Sequence, residues 1–220
     1  MGPAADFERE KQVAAEAAAQ VVESGMTVGL GSGSTVAYLL PALAARGLDL
    51  VCVASSPATS QDARELGMKV ESFAGADAPT RLDVAIDGAD QVAPSGWLVK
   101  GGGAAHTREK ALAAAADRFI VIVSSNKVVE RLSPPVPLEL LEFGLNATLK
   151  RLVTVRLRDV PRSPDGGVIA DYTGEFDDPE QLAAQLSAMT GVIEHGLFGP
   201  ALVSDVLVAQ GESVQRVVPQ

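Results

Sequence analysis

Cysteine is almost missing from this chain. Cys52 stands alone among 220 residues, which excludes an internal disulfide and a cysteine-based zinc site. Histidine is nearly as scarce: His106 and His195 are the whole complement, and neither sits in a recognisable metal or catalytic-triad spacing. No apolar run approaches the ~18 uninterrupted residues of a membrane span. The opening residues, Met1 to Glu8, hold neither the basic stretch nor the apolar run of a secretory leader, so a cytoplasmic protein is expected. Positive charge is in deficit, with 18 Lys and Arg against 28 Asp and Glu and a formal net charge of −10. A field of that sign opposes nonspecific attraction to nucleic acid or to an anionic membrane. Any anionic ligand must therefore be held by a local concentration of donors.

What is present suits a folded α/β protein. Hydrophobic residues make up 47% of the chain, and its length matches one large or two small domains with ample core. Over the first 130 residues, helical and strand patterns alternate. Glu8 to Glu23 reads as an alanine-rich helix closed by Gly25. Thr27 to Leu30 reads as a short buried strand, and the helix after it should kink or restart at Pro41. Strands follow at Leu48 to Ala54, Met68 to Phe73, Leu82 to Ile86 and Phe119 to Val123, with helices at Pro57 to Leu66 and His106 to Asp117. Continuous apolar strands between helices predict a doubly wound, mostly parallel, Rossmann-like sheet covered on both faces.

At Ser133-Pro134-Pro135-Val136-Pro137 the character changes, as at a linker. Beyond it, a helix at Asn146 to Leu152, a strand at Val168 to Tyr172 and a helix from Pro179 to Met189 suit a smaller α+β, ferredoxin-like domain with an antiparallel sheet. Further strands are expected at Val153 to Leu157, Val192 to Leu197 and Val203 to Val208. The expected division is 1–132 for the larger domain and 133–202 for the smaller, with 203–220 returning to the first.

Four segments could carry chemistry. Gly31-Ser32-Gly33-Ser34-Thr35 lies between a strand and a helix, where glycines let the backbone approach an anion and free N–H groups favour phosphate. A dinucleotide fingerprint would need glycine at position 34, and a P-loop would need a lysine that is not there. A plain Ser/Thr-capped turn is the alternative. Asp87-Gly88-Ala89-Asp90 follows an apolar strand at the sheet edge where ligands bind. Its two carboxylates could converge on a small polar substrate, bind a divalent cation, or form only an Asx turn. Lys100-Gly101-Gly102-Gly103 maximises ordering entropy, which suggests a backbone that must come close to a ligand. Glu109 follows in the next helix, so a cation and a base could face one gap, as proton abstraction beside a carbonyl requires. The competing reading places Glu109 on a solvated face with Arg108 and Lys110. Lys127, one of six lysines, follows a strand in Ser124-Ser125-Asn126-Lys127 and could contact a phosphate or be an ordinary loop residue.

Taken in order, Gly-Ser-Gly-Ser-Thr, Asp-Gly-Ala-Asp, Lys-Gly-Gly-Gly-Ala-Ala with Thr-Arg-Glu-Lys, and Ser-Ser-Asn-Lys resemble the type A ribose-5-phosphate isomerase family. The resemblance runs from about Glu8 to Gln220, with Val-Pro-Leu-Glu and Gly-Val-Ile-Glu-His-Gly-Leu-Phe extending it into the smaller domain. It implies an aldose–ketose isomerase of the non-oxidative pentose phosphate pathway. That enzyme would interconvert D-ribose 5-phosphate and D-ribulose 5-phosphate with no metal or organic cofactor, as a homodimer or tetramer. By the same resemblance Glu109 would be the general base, Asp87 and Asp90 would handle ring opening and hydroxyl protons, and Lys100 would stabilise the enediolate. Ser32, Gly33, Ser34, Thr35, Lys127 and Lys11 would hold the phosphate end, with Gly101 and Gly102 against the substrate. The chain departs from the family pattern at His106, where a bulkier apolar residue is more usual. It also departs at Ser56-Pro57-Ala58-Thr59, at Pro41, and through Leu152 to Ile169, where the usual Leu-Gly-Gly is missing. The rival readings are a non-catalytic sugar-phosphate sensor module, another sugar-phosphate enzyme of the same fold, or a dinucleotide oxidoreductase. A sensor would not need Asp87, Lys100 and Glu109 together, and the oxidoreductase fails at the glycine loop.

Overall fold

The computed structural model describes residues 3–219, with side chains from Asp6 onward. The first helix, α1 (Pro3–Ala19), is followed by β1 (Thr27–Leu30), α2 (Ser34–Ala44), β2 (Val51–Ala54), α3 (Pro57–Glu65) and β3 (Lys69–Glu71). Then come β4 (Val84–Asp87), the short strands β5 (Gln91–Val92) and β6 (Leu98–Val99), α4 (His106–Ala115) and β7 (Phe119–Ser124). The chain continues through β8 (Val136–Leu140), α5 (Leu145–Leu152), β9 (Val155–Leu157), β10 (Val168–Tyr172), α6 (Pro179–Ser187) and β11 (Val192–His195). It ends with β12 (Leu197–Phe198), β13 (Asp205–Gln210) and β14 (Ser213–Val217). Among the described residues no helix is long and apolar enough to cross a membrane.

The central sheet has seven strands in the order β14-β13-β7-β4-β1-β2-β3. All neighbours are parallel except the β13–β14 pair. From β1 the chain winds outward through β2 and β3, then returns to the other side of β1 with β4 and β7. The order thus reverses between β1 and β4, and the carboxyl ends of such strands open a crevice. Alanines 14, 15, 18 and 19 on α1 are wholly buried, because small side chains let that helix lie close against the sheet and α2.

Several boundaries differ from the sequence pattern, for identifiable reasons. Helix α1 stops at Ala19 rather than Glu23, because Arg46 at the end of α2 takes the carbonyls of Ala19 and Val22. Helix α2 runs through Pro41 without restarting. Its buried stripe of Val36, Leu39, Leu40 and Leu43 holds it to the core while Pro41 faces solvent. The proline-rich segment is not only a linker: Val136 and Pro137 begin β8, whose residues are all buried. Its prolines disguise that strand. Val192 to Leu197 is two strands in different sheets, divided at Gly196, and β14 has no counterpart in the sequence pattern.

Strands β8 to β11 form a separate antiparallel sheet in the order β11-β8-β10-β9. With α5 and α6 this is the β-α-β-β-α-β, ferredoxin-like arrangement, packed around Leu138, Leu140, Leu152, Leu182 and Leu186. A third sheet, β12-β6-β5, pairs the short strand after β11 with the hairpin that follows β4. Strand β13 then returns to the central sheet beside β7.

Glu10 on α1 ties three parts of the large sheet together. Its buried carboxylate accepts hydrogen bonds from Ser125 N (2.8 Å), Ser125 Oγ (2.7 Å) and Gly211 N (3.0 Å). Burial pushes this carboxyl up, yet the bonds from Gly211 and Ser125 outweigh it and hold it below its ordinary value. A carboxyl lowered in the folded state stabilises above its unfolded pKa and loses that contribution as pH falls through the lowered value. Glu10→Ala should therefore cost about 1.5–3 kcal/mol at neutral pH. Urea unfolding should show the gap to wild type narrowing in acid; a gap independent of pH would contradict this role for Glu10.

Candidate active site

The site is assembled at the reversal of strand order. Strand β1 ends at Leu30, and Gly31 donates its N–H to Ile86 O on β4 (2.9 Å). A Cβ at Gly31 would lie 1.9 Å from the Asp87 carboxyl carbon, so glycine is required for the two strand ends to meet. Asp87, the last residue of β4, is buried. Its Oδ1 accepts the N–H groups of Ser32 (3.1 Å) and Gly88 (2.7 Å).

Strands β5 and β6 form a hairpin that folds the chain back, with Asp90 N donating to Val99 O (2.8 Å). That turn brings Lys100 beside Asp87 and Asp90, which is why residues ten or more apart share one cleft. Lys100 is fixed at both ends. Its backbone N–H donates to Gly196 O (2.8 Å), and its ammonium donates to Asp87 Oδ2 (2.8 Å) and Gly88 O (2.5 Å). The Nζ also lies 3.2 Å from Glu109 Oε2 and 5.4 Å from the centre of the Phe198 ring. Glu109 enters from the first turn of α4, where the helix dipole favours negative charge. Its Oε1 accepts the Ser32 hydroxyl (2.6 Å), while Oε2 is buried with no directed hydrogen bond.

One ammonium thus lies between two carboxylates, all three residues at most 5% exposed. Burial, and then the charge of Glu109, raise the Asp87 carboxyl to about 7, with Lys100 opposing. Burial alone would lower the Lys100 ammonium, but Asp87 and Glu109 hold it above its ordinary value, so it stays charged. A buried ion cluster is weak evidence for stability; its chemistry is to hold charge and protons near neutrality. Among the described residues no set of three His, Cys, Asp or Glu side chains could hold a metal ion.

The cleft holds about 110 Å³, a small and polar recess beside the ~300–1,000 Å³ of a drug-sized ligand's pocket. Every site residue expected from the sequence lines it: Lys11, Ser32, Gly33, Ser34, Thr35, Asp87, Asp90, Lys100, Gly101, Gly102, Glu109 and Lys127. Gly33 has φ 86° and precedes α2, whose first residues are Ser34 and Thr35. Ser32 stands apart from these two, since its hydroxyl and N–H serve Glu109 and Asp87. Lys11 pairs with Glu8 at the cleft margin. His106 does not reach the cleft. It is buried, burial lowers its pKa, and its ring packs under Gly101. His195 is likewise buried, pushed down to about 4 by burial and by Lys110. Three supporting positions lie in segments the sequence marks, without being singled out there as site residues. Phe198 lies beside Lys100, Gly31 approaches Asp87, and a Cβ at Gly196 would stand 2.2 Å from Lys100 O. Their individual roles are visible only once the strands are paired.

The model of the family ribose 5-phosphate isomerase A (phosphoriboisomerase A) matches residues 51–213. A ribose-5-phosphate isomerase A of Caulobacter vibrioides is 43% identical over 226 residues, covering 96% of this chain and 98% of that protein. The crystal structure of ribose 5 phosphate isomerase A from Neisseria gonorrhoeae superposes with a TM-score of 0.91 at 28% identity, covering 97% and 98% of the two chains. A D-ribose-5-phosphate isomerase solved in complex with phospho-erythronic acid superposes at 0.88 with 34% identity, covering 96% and 99%.

Adding a methyl group at Gly31 tests the packing of the cluster. Gly31→Ala should cost about 1–3 kcal/mol from overpacking and displace the Asp87 carboxylate from Lys100. A crystal structure of the variant with that ion pair undisturbed would contradict the assembly described.

Proposed function

The chain belongs to the ribose 5-phosphate isomerase A family and is an aldose–ketose isomerase of ribose 5-phosphate, and we propose that it works through an enediolate with Glu109 as the base. The observation that carries this assignment of roles is Glu109 Oε2, a buried carboxylate oxygen without a directed hydrogen bond, 3.2 Å from the Lys100 ammonium. Aldose and ketose differ by two proton positions: one moves from C2 to C1, the other from the C2 hydroxyl to the C1 oxygen. Glu109 takes the C2 proton and returns it at C1. Lys100 lies where negative charge develops on the enediolate oxygens, and preorganised charge of that kind lowers the barrier. Asp87, poised near neutrality, passes the hydroxyl proton between the two oxygens, and Asp90 assists at ring opening.

The non-reacting end carries the phosphate. Ser34 and Thr35 at the α2 N-terminus, with Lys127 and Lys11, supply the local donors that an acidic chain needs, and a helix N-terminus favours an anion. Holding that end spends remote binding energy on aligning C1 and C2. Ser32 serves the carboxylates first, through its bond to Glu109.

Residues 1–132 with 203–220 are proposed as the catalytic domain and 133–202 as a second domain; the separate antiparallel sheet supports that division, with a core that also takes in Ala93, Val99 and Leu132. The second domain also bears Phe143 and Val153, which are 88% and 81% exposed. A homodimer working in the cytoplasm is the proposed state, by likeness to the family.

Purified protein with excess EDTA should convert ribose 5-phosphate to ribulose 5-phosphate; absence of turnover would overturn the reading, and loss caused by EDTA alone would implicate a metal at Asp87 and Asp90. Thr35→Ala and Lys127→Ala should each raise KM with little change in kcat, by the equivalent of about 1.5–3 kcal/mol for a charge-assisted contact. Wild-type KM in the double variant would remove both from the phosphate site.

A further inference from the structure

The glycine loop after Lys100 has one hydrogen bond of its own, from Ala104 N–H to Gly101 O (3.0 Å), and the Gly102 carbonyl receives none from within it. Gly101 adopts φ +103°, open to glycine, and three glycines in a row give the loop the largest conformational freedom a chain can have. Something outside the loop must select its conformation.

Arg158, directly after β9 in the ferredoxin-like sheet, reaches across to it. Its Nη1 donates to Gly101 O (3.0 Å) and to Gly102 O (3.1 Å). The rest of the guanidinium is committed to Asp171 on the neighbouring strand β10, through Nε to Oδ2 (2.9 Å) and Nη2 to Oδ1 (2.6 Å). Asp171 is only 4% exposed. A bidentate fork anchored on a buried carboxylate is rigid, and β9 pairs with β10 at this point.

The consequence follows from peptide geometry. In a planar trans peptide the C=O and N–H point in opposite directions. With the Gly101 carbonyl turned to Arg158, the N–H of Gly102 must face away, and it donates to Asp90 Oδ2 (2.8 Å). With the Gly102 carbonyl turned the same way, the N–H of Gly103 faces away from Arg158, and Gly103 lines the cleft. A single guanidinium therefore bears on two consecutive peptide dipoles, sharing the Gly101 carbonyl with the Ala104 N–H and holding the Gly102 carbonyl.

We infer that Arg158 is a positioning residue for the isomerase reaction: held by Asp171, it orients the Gly101–Gly103 peptides toward the substrate and makes turnover depend on the ferredoxin-like unit. It touches neither substrate nor the reacting atoms. The inference rests on the isomerase reading, and wild-type turnover tests that reading separately.

The test compares Arg158→Lys, Arg158→Ala and Asp171→Asn with wild type. Lysine keeps the charge but not the planar fork, so Arg158→Lys should lower kcat by about 10- to 100-fold, the scale of a small misalignment at a reacting centre. KM and the affinity for inorganic phosphate should stay within about twofold, because the phosphate donors sit on other elements, the start of α2 and the segment after β7, that Arg158 does not touch. Affinity for a phosphorylated four-carbon hydroxamate, a planar mimic of the enediolate, should fall in step with kcat. Guanidinium ion at sub-denaturing concentration should restore part of the kcat of Arg158→Ala, and Asp171→Asn should show the same kcat-selective loss in milder form. A readout independent of turnover is the amide of Gly102, which should lose hydrogen-exchange protection in Arg158→Lys. Unchanged kcat in folded Arg158→Lys would overturn the inference. So would equal losses for phosphate and hydroxamate, or unaltered protection of Gly102.

Discussion

An ammonium group locked between two carboxylates, out of reach of water, is the constraint on which the rest of this structure depends. Lys100, Asp87 and Glu109 come from a loop, a strand end and a helix start, and none could be buried alone without a severe desolvation penalty. Together they are tolerable only with close geometry and with hydrogen bonds to the remaining lone pairs. Gly31, Gly88 and Ser32 meet that requirement around Asp87, and Gly196 and Phe198 meet it around Lys100. The site's glycines are therefore consequences of the ion cluster as much as of the ligand.

The fold supplies the convergence. Reversal of strand order places the ends of β1 and β4 side by side, and the β5–β6 hairpin returns the chain so that Lys100 arrives at the same level. The antiparallel sheet then closes the arrangement from the other side. Arg158 holds the glycine loop, and Glu139 on β8 accepts the hydroxyl of Thr107 in the first turn of α4, two residues before Glu109. The charged groups of the cleft gather at the carboxyl ends of one sheet's central strands, but their alignment is shared between two sheets.

Much of this is legible in the sequence, and the division has a physical basis. Glycine-rich loops after apolar strands carry their own signal, because both the backbone approach and the strand are local. Hence the cleft residues, the parallel sheet and the α+β character of residues 133–202 can be read from the order of residues alone. The end of α1 cannot, since its carbonyls are capped by Arg46 from the turn after α2, and β8 is masked by Pro135 and Pro137. Ser32 looks like a phosphate donor, yet its hydroxyl lies on Glu109; hydroxyl direction is not written in a loop motif. Arg158 gives no local sign at all. It is one arginine in a turn-rich stretch, and its meaning comes from the carbonyls it meets 56 and 57 positions away.

The central claim is that Glu109 removes the C2 proton while Lys100 and Asp87 manage the resulting charge. Glu109→Gln keeps the size and the helix but cannot take a proton, so it separates chemistry from folding and binding. Exchange of the C2 hydrogen of ribose 5-phosphate with solvent deuterium, followed by NMR, reports that single step directly. Exchange and kcat should fall together by ~10²–10⁴, the usual contribution of a general base, in a folded protein that still binds inorganic phosphate. Wild-type exchange in that variant would contradict the claim and move the base to Asp87 or Asp90.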